Sequence, residues 1–218
     1  MNKLSFHLSE GNGTMKIAVY GASGMVGSRI AAEAVRRGHE VTGVTRSGGE
    51  LPAGVRAVQG SANDVASVKE VVGAADVVAV ALGPSRTGGD HQDYLDAVDN
   101  LIAAVQGTPT RLLVVGGAGG LSIGGQRVVD GPDFPAEYKQ ESLTVAQALD
   151  ALQVTDESVN WTMQHPAYVI APGERTGTFR LGLDEPVGTN ISAEDFAVAT
   201  LDEFEKPAHN RKRFTLGY

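Results

Sequence analysis

Hydrophobic positions along this chain alternate between two rhythms. Short β-like runs, several of them almost uninterruptedly apolar, fall at residues 17–20, 40–45, 55–59, 75–82, 111–115 and 161–164. Runs of that kind fit strands buried on both faces of a parallel sheet. Between them lie stretches with helical spacing: an Ala-rich amphipathic run that reaches Arg37 and ends at Gly38, then 65–72, 90–105 and 136–152. The 90–105 run carries Tyr94, Val98, Leu101, Ile102 and Val105 on one face, and Asn63 or Asp64 is placed to cap the 65–72 run. Strand alternating with helix predicts an α/β fold with a doubly wound parallel sheet. Beyond Pro166 the pattern changes. Residues 171–182 hold turn formers without a helical period, Ser192, Ala193, Glu194 and Asp195 resemble a capping box for a helix to about Phe204, and 214–216 reads as a final strand. Residues 15–218 are therefore expected to form one domain, with 166–190 as part of a small substrate-side lobe, after a loosely ordered leader over 1–14.

The first strand runs directly into Gly21, Gly24 and Gly27, spaced GxxGxxG at the start of the first helix. Each glycine has its own reason. Gly21 allows the tight turn, Gly24 lets backbone approach a pyrophosphate without a Cβ in the way, and Gly27 lets the helix pack close on the strand. The free N–H groups of the first helical turn then face the anion, aided by the helix dipole. A glycine triplet alone is weak in a chain with 28 glycines, and it also fits a ligand-free turn. Its position between a strand and a helix, with a second strand following, is what gives it meaning.

The second strand ends in Val44, Thr45 and Arg46, with no acid at its tip. An acid there would bind the ribose 2′-hydroxyl of NAD, whereas an arginine accommodates the 2′-phosphate of NADP. Arg46 fits the second case, giving a roughly ten- to hundredfold preference for NADP if the contact is bidentate; it also fits a solvated loop arginine. Ala81, Leu82 and Gly83 end the 75–82 run and belong over the ribose and pyrophosphate, because ligands of such sheets bind outside the carboxyl ends of the strands. The run Gly116, Gly117, Ala118, Gly119 and Gly120 suits a place where side chains would crowd a nicotinamide, or a plain loop.

Composition narrows the rest. A formal net charge of -8 argues against a phosphate-coating surface, so no nucleic-acid partner is expected. With no cysteine, disulfides, thiolate catalysis and Cys-ligated zinc are excluded, in agreement with a cytoplasmic home. His7, His39, His91, His165 and His209 are widely separated, so no metal site is expected. No apolar run approaches the roughly 20 residues needed to span a bilayer, and no membrane partner is expected.

Longer motifs carry a resemblance. GASGMVG after the first strand, Thr45 and Arg46 after the second, VVGGAGGL at 114–121, NWTMQHPAYVIAPGERTGTFRLG at 160–182 and ISAEDFAVATLDEFEKPAHNRKRFTLGY at 191–218 resemble the bacterial NADH-flavin reductase-like group. That group belongs to the atypical short-chain dehydrogenases, NAD(P)-binding Rossmann proteins related to biliverdin reductase B and NmrA-like proteins. The similarity runs from Met15 onward. It implies that Gly21, Ser23, Gly24, Met25, Val26 and Gly27 hold the pyrophosphate, that Thr45 and Arg46 form the end that takes the adenosine ribose phosphate, and that Ala62 lies beside adenine. Ala81, Leu82 and Gly83 would lie beside the ribose, with Gly116, Gly117, Ala118, Pro166, Ala167 and Tyr168 flanking the nicotinamide. Related sequences often carry Asp where this chain has Ser61, which implies that adenine is held either more weakly or in a different arrangement.

The chemistry departs further. Classical members use YxxxK, with tyrosine as the acid, and no tyrosine here has Lys four residues on. Two functions fit. One is an NADPH-preferring reductase passing hydride to a flavin, quinone or similar planar acceptor, which can draw its proton from water. Tyr138 and His165 are its candidate pocket residues, each equally compatible with a structural role, and Arg175 is a candidate anion or partner contact unless it pairs with Glu174. The other is a non-catalytic NADP sensor that binds a protein partner, as NmrA-like relatives imply; a Rossmann fold by itself does not make an enzyme.

Overall fold

Val77, Val78, Ala79 and Val80 are all buried, as a strand flanked by helices on both faces requires. They lie near the middle of the sheet in a computed structural model that describes residues 13–218. Apart from Gly13 and Thr14, the leader expected over 1–14 lies outside the described residues. In chain order the elements are β1 (Lys16–Tyr20), α1 (Met25–Arg36), β2 (Glu40–Thr45), β3 (Arg56–Gln59), α2 (Val65–Gly73), β4 (Val77–Val80), α3 (Gln92–Val105) and β5 (Arg111–Val115). They continue with β6 (Ser122–Ile123), β7 (Gln126–Arg127), α4 (Ala136–Gln153), β8 (Trp161–Pro166), β9 (Val169–Ala171), β10 (Arg180–Gly182), β11 (Asn190–Ser192), α5 (Ala193–Glu205) and β12 (Lys212–Gly217).

The main sheet has the order β10-β12-β8-β5-β4-β1-β2-β3. All neighbours pair in parallel except β10, which closes one edge antiparallel to β12. This is a doubly wound Rossmann fold. Helices α2, α3 and α4 cover one face, where Tyr94, Leu101, Leu149 and Leu152 meet Val78, Val114, Trp161 and Met163. Helices α1 and α5 cover the other, packing Ile30, Ala34, Leu201 and Phe204 on Ile17, Val19 and Ala79. The chain runs outward from β1 through β2 to β3, then returns to β4 on the other side of β1. That reversal opens a crevice between β1 and β4 at their carboxyl ends.

Local chemistry explains several boundaries. Asp64 caps α2 by accepting from the N–H groups of Ala66 and Ser67. Ser192 caps α5 by accepting from the Asp195 N–H at 2.9 Å, yet Asp195 turns away from the reciprocal half of the box to bind other groups. β8 runs two residues past the expected end, through His165 to Pro166. Three features were not legible: the parallel pair β9 and β11, the β6 and β7 hairpin, and the 3-10 turn at Ala118–Gly120. Each is too short to show a period.

Candidate functional site

The switch point is occupied by Gly21. Its φ of 77° is left-handed, and a Cβ there would overlap the Ala81 carbonyl at the end of β4. Its N–H donates to the Val44 carbonyl of β2 at 3.2 Å, while the Ala81 N–H donates to the Tyr20 carbonyl at 3.0 Å. Three strand ends thus meet at one residue. A Cβ at Gly27 would overlap the Gly21 carbonyl, so the helix lies directly on the turn. Gly24 is the N-cap of α1, with no side-chain cap and no acid in the first turn. The N–H groups of Met25, Val26 and Gly27 have no acceptor four residues back inside the helix, which makes this an anion-facing terminus with no competing carboxylate.

The end of β2 lies against the same turn. A Cβ at Gly49 would come within 2.9 Å of Ser23 Cβ, so the 46–49 loop borders the glycine turn. Thr45 is buried, and its carbonyl accepts from Gly60 N–H at 3.0 Å. The Arg46 carbonyl accepts from Gln59 Nε2 at 3.2 Å. Its guanidinium is exposed and has no ion-pair or hydrogen-bond partner among the described residues. On the far side, Ser61 Oγ accepts from Asn63 N–H at 3.2 Å, so it serves the turn into α2. Buried Ala62 is fixed through its carbonyl by Asn100 Nδ2 at 3.1 Å.

Beyond Ala81, Leu82 and Gly83, the loop leading to α3 is fastened to α4. Arg86 makes a bidentate pair with Glu141, at 2.9 and 2.7 Å. His91 bridges Thr144 Oγ1 at 2.8 Å and the Ser85 carbonyl at 3.0 Å. Neither pairing was visible in the sequence, since the partners are more than 50 residues apart.

The glycine run has a reason the sequence did not supply. A Cβ at Gly116 would lie 2.6 Å from His165 Nδ1, one at Gly120 3.0 Å from His165 Cε1, and one at Gly119 2.8 Å from Ser142 Cβ. The turn is small because side chains press on it from below. His165 is 0% exposed, and its Nδ1 donates to the Gly117 carbonyl at 2.8 Å. Burial is the main cause that pushes its imidazole down to about 4, with nearby Arg213 acting in the same direction and the Gly117 bond opposing. It presents no surface to a ligand. Tyr138, in the first turn of α4, is 56% exposed, and Tyr168 is 48% exposed while Ala167 beside it is buried.

Arg175 pairs with an acid of α1 and not with Glu174. Its Nε and Nη2 both donate to Glu33 of α1 at 2.9 Å. Glu33 is buried and also accepts from Arg36 and Arg37; burial alone would raise its carboxyl, but these arginine hydrogen bonds hold it well below the usual carboxylate range. Nearby, buried Asp195 accepts from Thr176 N–H, Gly177 N–H, Thr176 Oγ1 and Tyr218 Oη. Residues 173–177 are thereby strapped across α1 and α5.

Comparison with known proteins agrees with this geometry. A family model described as NAD(P)H-binding matches residues 21–207. The uncharacterized protein YwnB of Bacillus subtilis (strain 168) is 38% identical over 213 residues, which is 93% of this chain and 98% of that protein. A crystal structure from Burkholderia pseudomallei, of a candidate exported protein, superposes with a TM-score of 0.85 at 39% identity, over 94% of this chain and 100% of that one. Another, from Streptococcus pneumoniae TIGR4, is named as a candidate NADH-flavin reductase; its TM-score is 0.85 at 33% identity, over 93% of this chain and 98% of that one. No described helix is long and apolar enough to cross a membrane.

Proposed function

The chain belongs to the NAD(P)H-binding family, and on that premise we propose that it is an oxidoreductase that prefers NADPH and passes hydride to a planar acceptor such as a flavin or quinone. The observation that carries the reading is the open glycine turn at the β1 and β4 crevice with an exposed Arg46 beside it, its guanidinium unpaired among the described residues. An anion-facing helix start takes a pyrophosphate, and the guanidinium takes the 2′-phosphate. Met25, Val26 and Gly27 donate their N–H groups, Ser23 its hydroxyl, and Ala62 borders the adenine. Ala81, Leu82 and Gly83 line the ribose, and Gly116, Gly117, Ala118, Pro166, Ala167 and Tyr168 border the nicotinamide.

Bound NADPH supplies the hydride. The chain's part is to hold donor and acceptor in line and to exclude water between them. A planar acceptor takes its proton from water, so the lack of a YxxxK pair is no obstacle. On this reading Tyr138 and Tyr168, both exposed, offer aromatic faces on which a planar acceptor can stack. The cysteine-free composition supports a cytoplasmic setting.

The test is NADPH oxidation by purified protein with and without FMN and a small quinone, alongside an NADH series and an Arg46→Ala variant. Acceptor-dependent turnover that favours NADPH is expected, and the variant should lose that preference by about ten- to hundredfold. Tight NADPH binding without turnover on any acceptor would overturn the reading in favour of a nucleotide sensor with a protein partner.

A further inference from the structure

We propose that His165 is a positioning residue which, protonated on Nδ1, fixes the Gly117 carbonyl and shapes the 116–120 turn as a seat for the nicotinamide ring. This rests on the reading of the crevice as an NADPH site. The ring cannot act on substrate directly, because it is wholly buried beneath the turn. What it touches is the turn itself. The Gly117 carbonyl accepts twice, from His165 Nδ1 at 2.8 Å and from Gly120 N–H at 3.0 Å, so both of its lone pairs are directed. Since a carbonyl only accepts, the proton of the imidazole sits on Nδ1.

The surroundings set the turn from three sides. Gly116 N–H donates to the Gln164 carbonyl at 2.8 Å, which ties the start of the turn to β8 one residue before His165. Arg213 of β12 donates from Nη1 to the Gly120 carbonyl at 2.6 Å, which ties the end. The ring fills the space beneath, against the Cα positions of Gly116 and Gly120. Among the described residues, His165 is the side chain that hydrogen-bonds the middle. Its Nε2 is buried with no partner among the described residues, as is Oγ1 of Thr215, directly opposite in the β8 and β12 register. An apolar side chain would fill this volume without leaving a buried acceptor unpaired. The one thing imidazole adds here is therefore the Nδ1–H bond to Gly117. Asparagine can place its amide N–H where Nδ1 lies, and leucine cannot.

The experiment compares His165→Leu and His165→Asn with the unaltered protein. It measures affinity for NADPH by the fluorescence of the bound nicotinamide, affinity for adenosine 2′,5′-bisphosphate, which lacks that ring, and kcat separately from KM with FMN. A nitrogen-15 spectrum of the unaltered protein reads the tautomer. His165→Leu is expected to weaken NADPH binding or lower kcat by about tenfold or more while leaving the bisphosphate within about twofold, and His165→Asn is expected to recover most of the loss. The spectrum should show a neutral ring protonated on Nδ1. An Nε2–H tautomer, an imidazolium at neutral pH, equal losses for both ligands, or a His165→Leu variant that matches the unaltered protein would each overturn the proposal. Failure of the unaltered protein to bind NADPH would overturn the functional reading, and the tautomer would still decide what His165 donates.

Discussion

Gly27 and Gly116 are both glycines for want of room, but the two crowding partners differ in how far away they lie along the chain. A Cβ at Gly27 would strike the carbonyl of Gly21, six positions back, and the spacing GxxGxxG announces that contact. A Cβ at Gly116 would strike His165, which the sequence had no means of placing there. Gly27→Ala is expected to push α1 away from the turn, costing about 1 to 3 kcal/mol through overpacking and weakening NADPH binding more than tenfold. A thermal melt paired with a fluorescence titration checks both effects. His165 also makes a prediction about acid. Its folded pKa lies near 4 against an unfolded value of 6.5, so the unfolded chain takes up its proton first as pH falls. The stability that the neutral ring contributes is complete above about pH 6.5 and is lost progressively down to about pH 4, on the order of 3 kcal/mol in all. Urea melts across that range should show a shallower slope for His165→Asn.

At the scale of elements, the 173–177 strap is held by two buried carboxylates on the helices beneath it. Asp195 occupies the position where a capping box would have its acid reach back to the Ser192 N–H. Tyr218 Oη stands there instead, accepting from Ser192 N–H at 3.3 Å and donating to Asp195 Oδ2 at 2.7 Å. The motif was legible as a helix start, and Ser192 serves as one. The acid's true partners, Thr176, Gly177 and Tyr218, come from segments brought in by the tertiary fold. Asp195→Asn would set an amide N–H among donors. The expected cost is about 1 to 3 kcal/mol, with the strap becoming cleavable near Arg175 in limited proteolysis. Glu33→Gln leaves the arginines Arg36, Arg37 and Arg175 around a neutral amide. Breaking a buried ion cluster in this way is expected to remove about 3 kcal/mol, seen as a melting temperature lower by on the order of 10 °C.

For the whole molecule, these two carboxylates and Glu194, whose Oε2 accepts from Gly173 N–H at the start of the strap, set the response to pH. Glu33, Glu194 and Asp195 all have folded pKa values below their ordinary ones, with burial opposing and hydrogen bonds winning. The stability they contribute is therefore present above their unfolded values of 4.5 and 3.8 and is lost as pH falls through the lower folded values. Acid unfolding is expected to be steep below about pH 4.5, with the steepness reduced in Glu33→Gln. Hydrogen exchange checks where the fold is firmest. The slowest amides should lie in β1, β4, β5 and β8, whose side chains are almost all buried, and the fastest in the exposed 46–50 loop.

The sequence by itself determined the doubly wound sheet and the glycine turn at its switch point, because both rest on local regularities. An apolar run flanked by helical spacing reads as a buried parallel strand wherever it occurs, and Gly21 and Gly27 constrain each other within one turn of chain. The caps Asp64 and Ser192 apart, the tertiary structure decided what the polar residues are for. His165 supports a turn 48 residues away, Arg175 reaches across 142 residues to Glu33, and Arg86 closes on Glu141 across 55. Side-chain hydrogen bonds of that range have no period and no fixed spacing. They exist only once the sheet and its helices have brought the partners together.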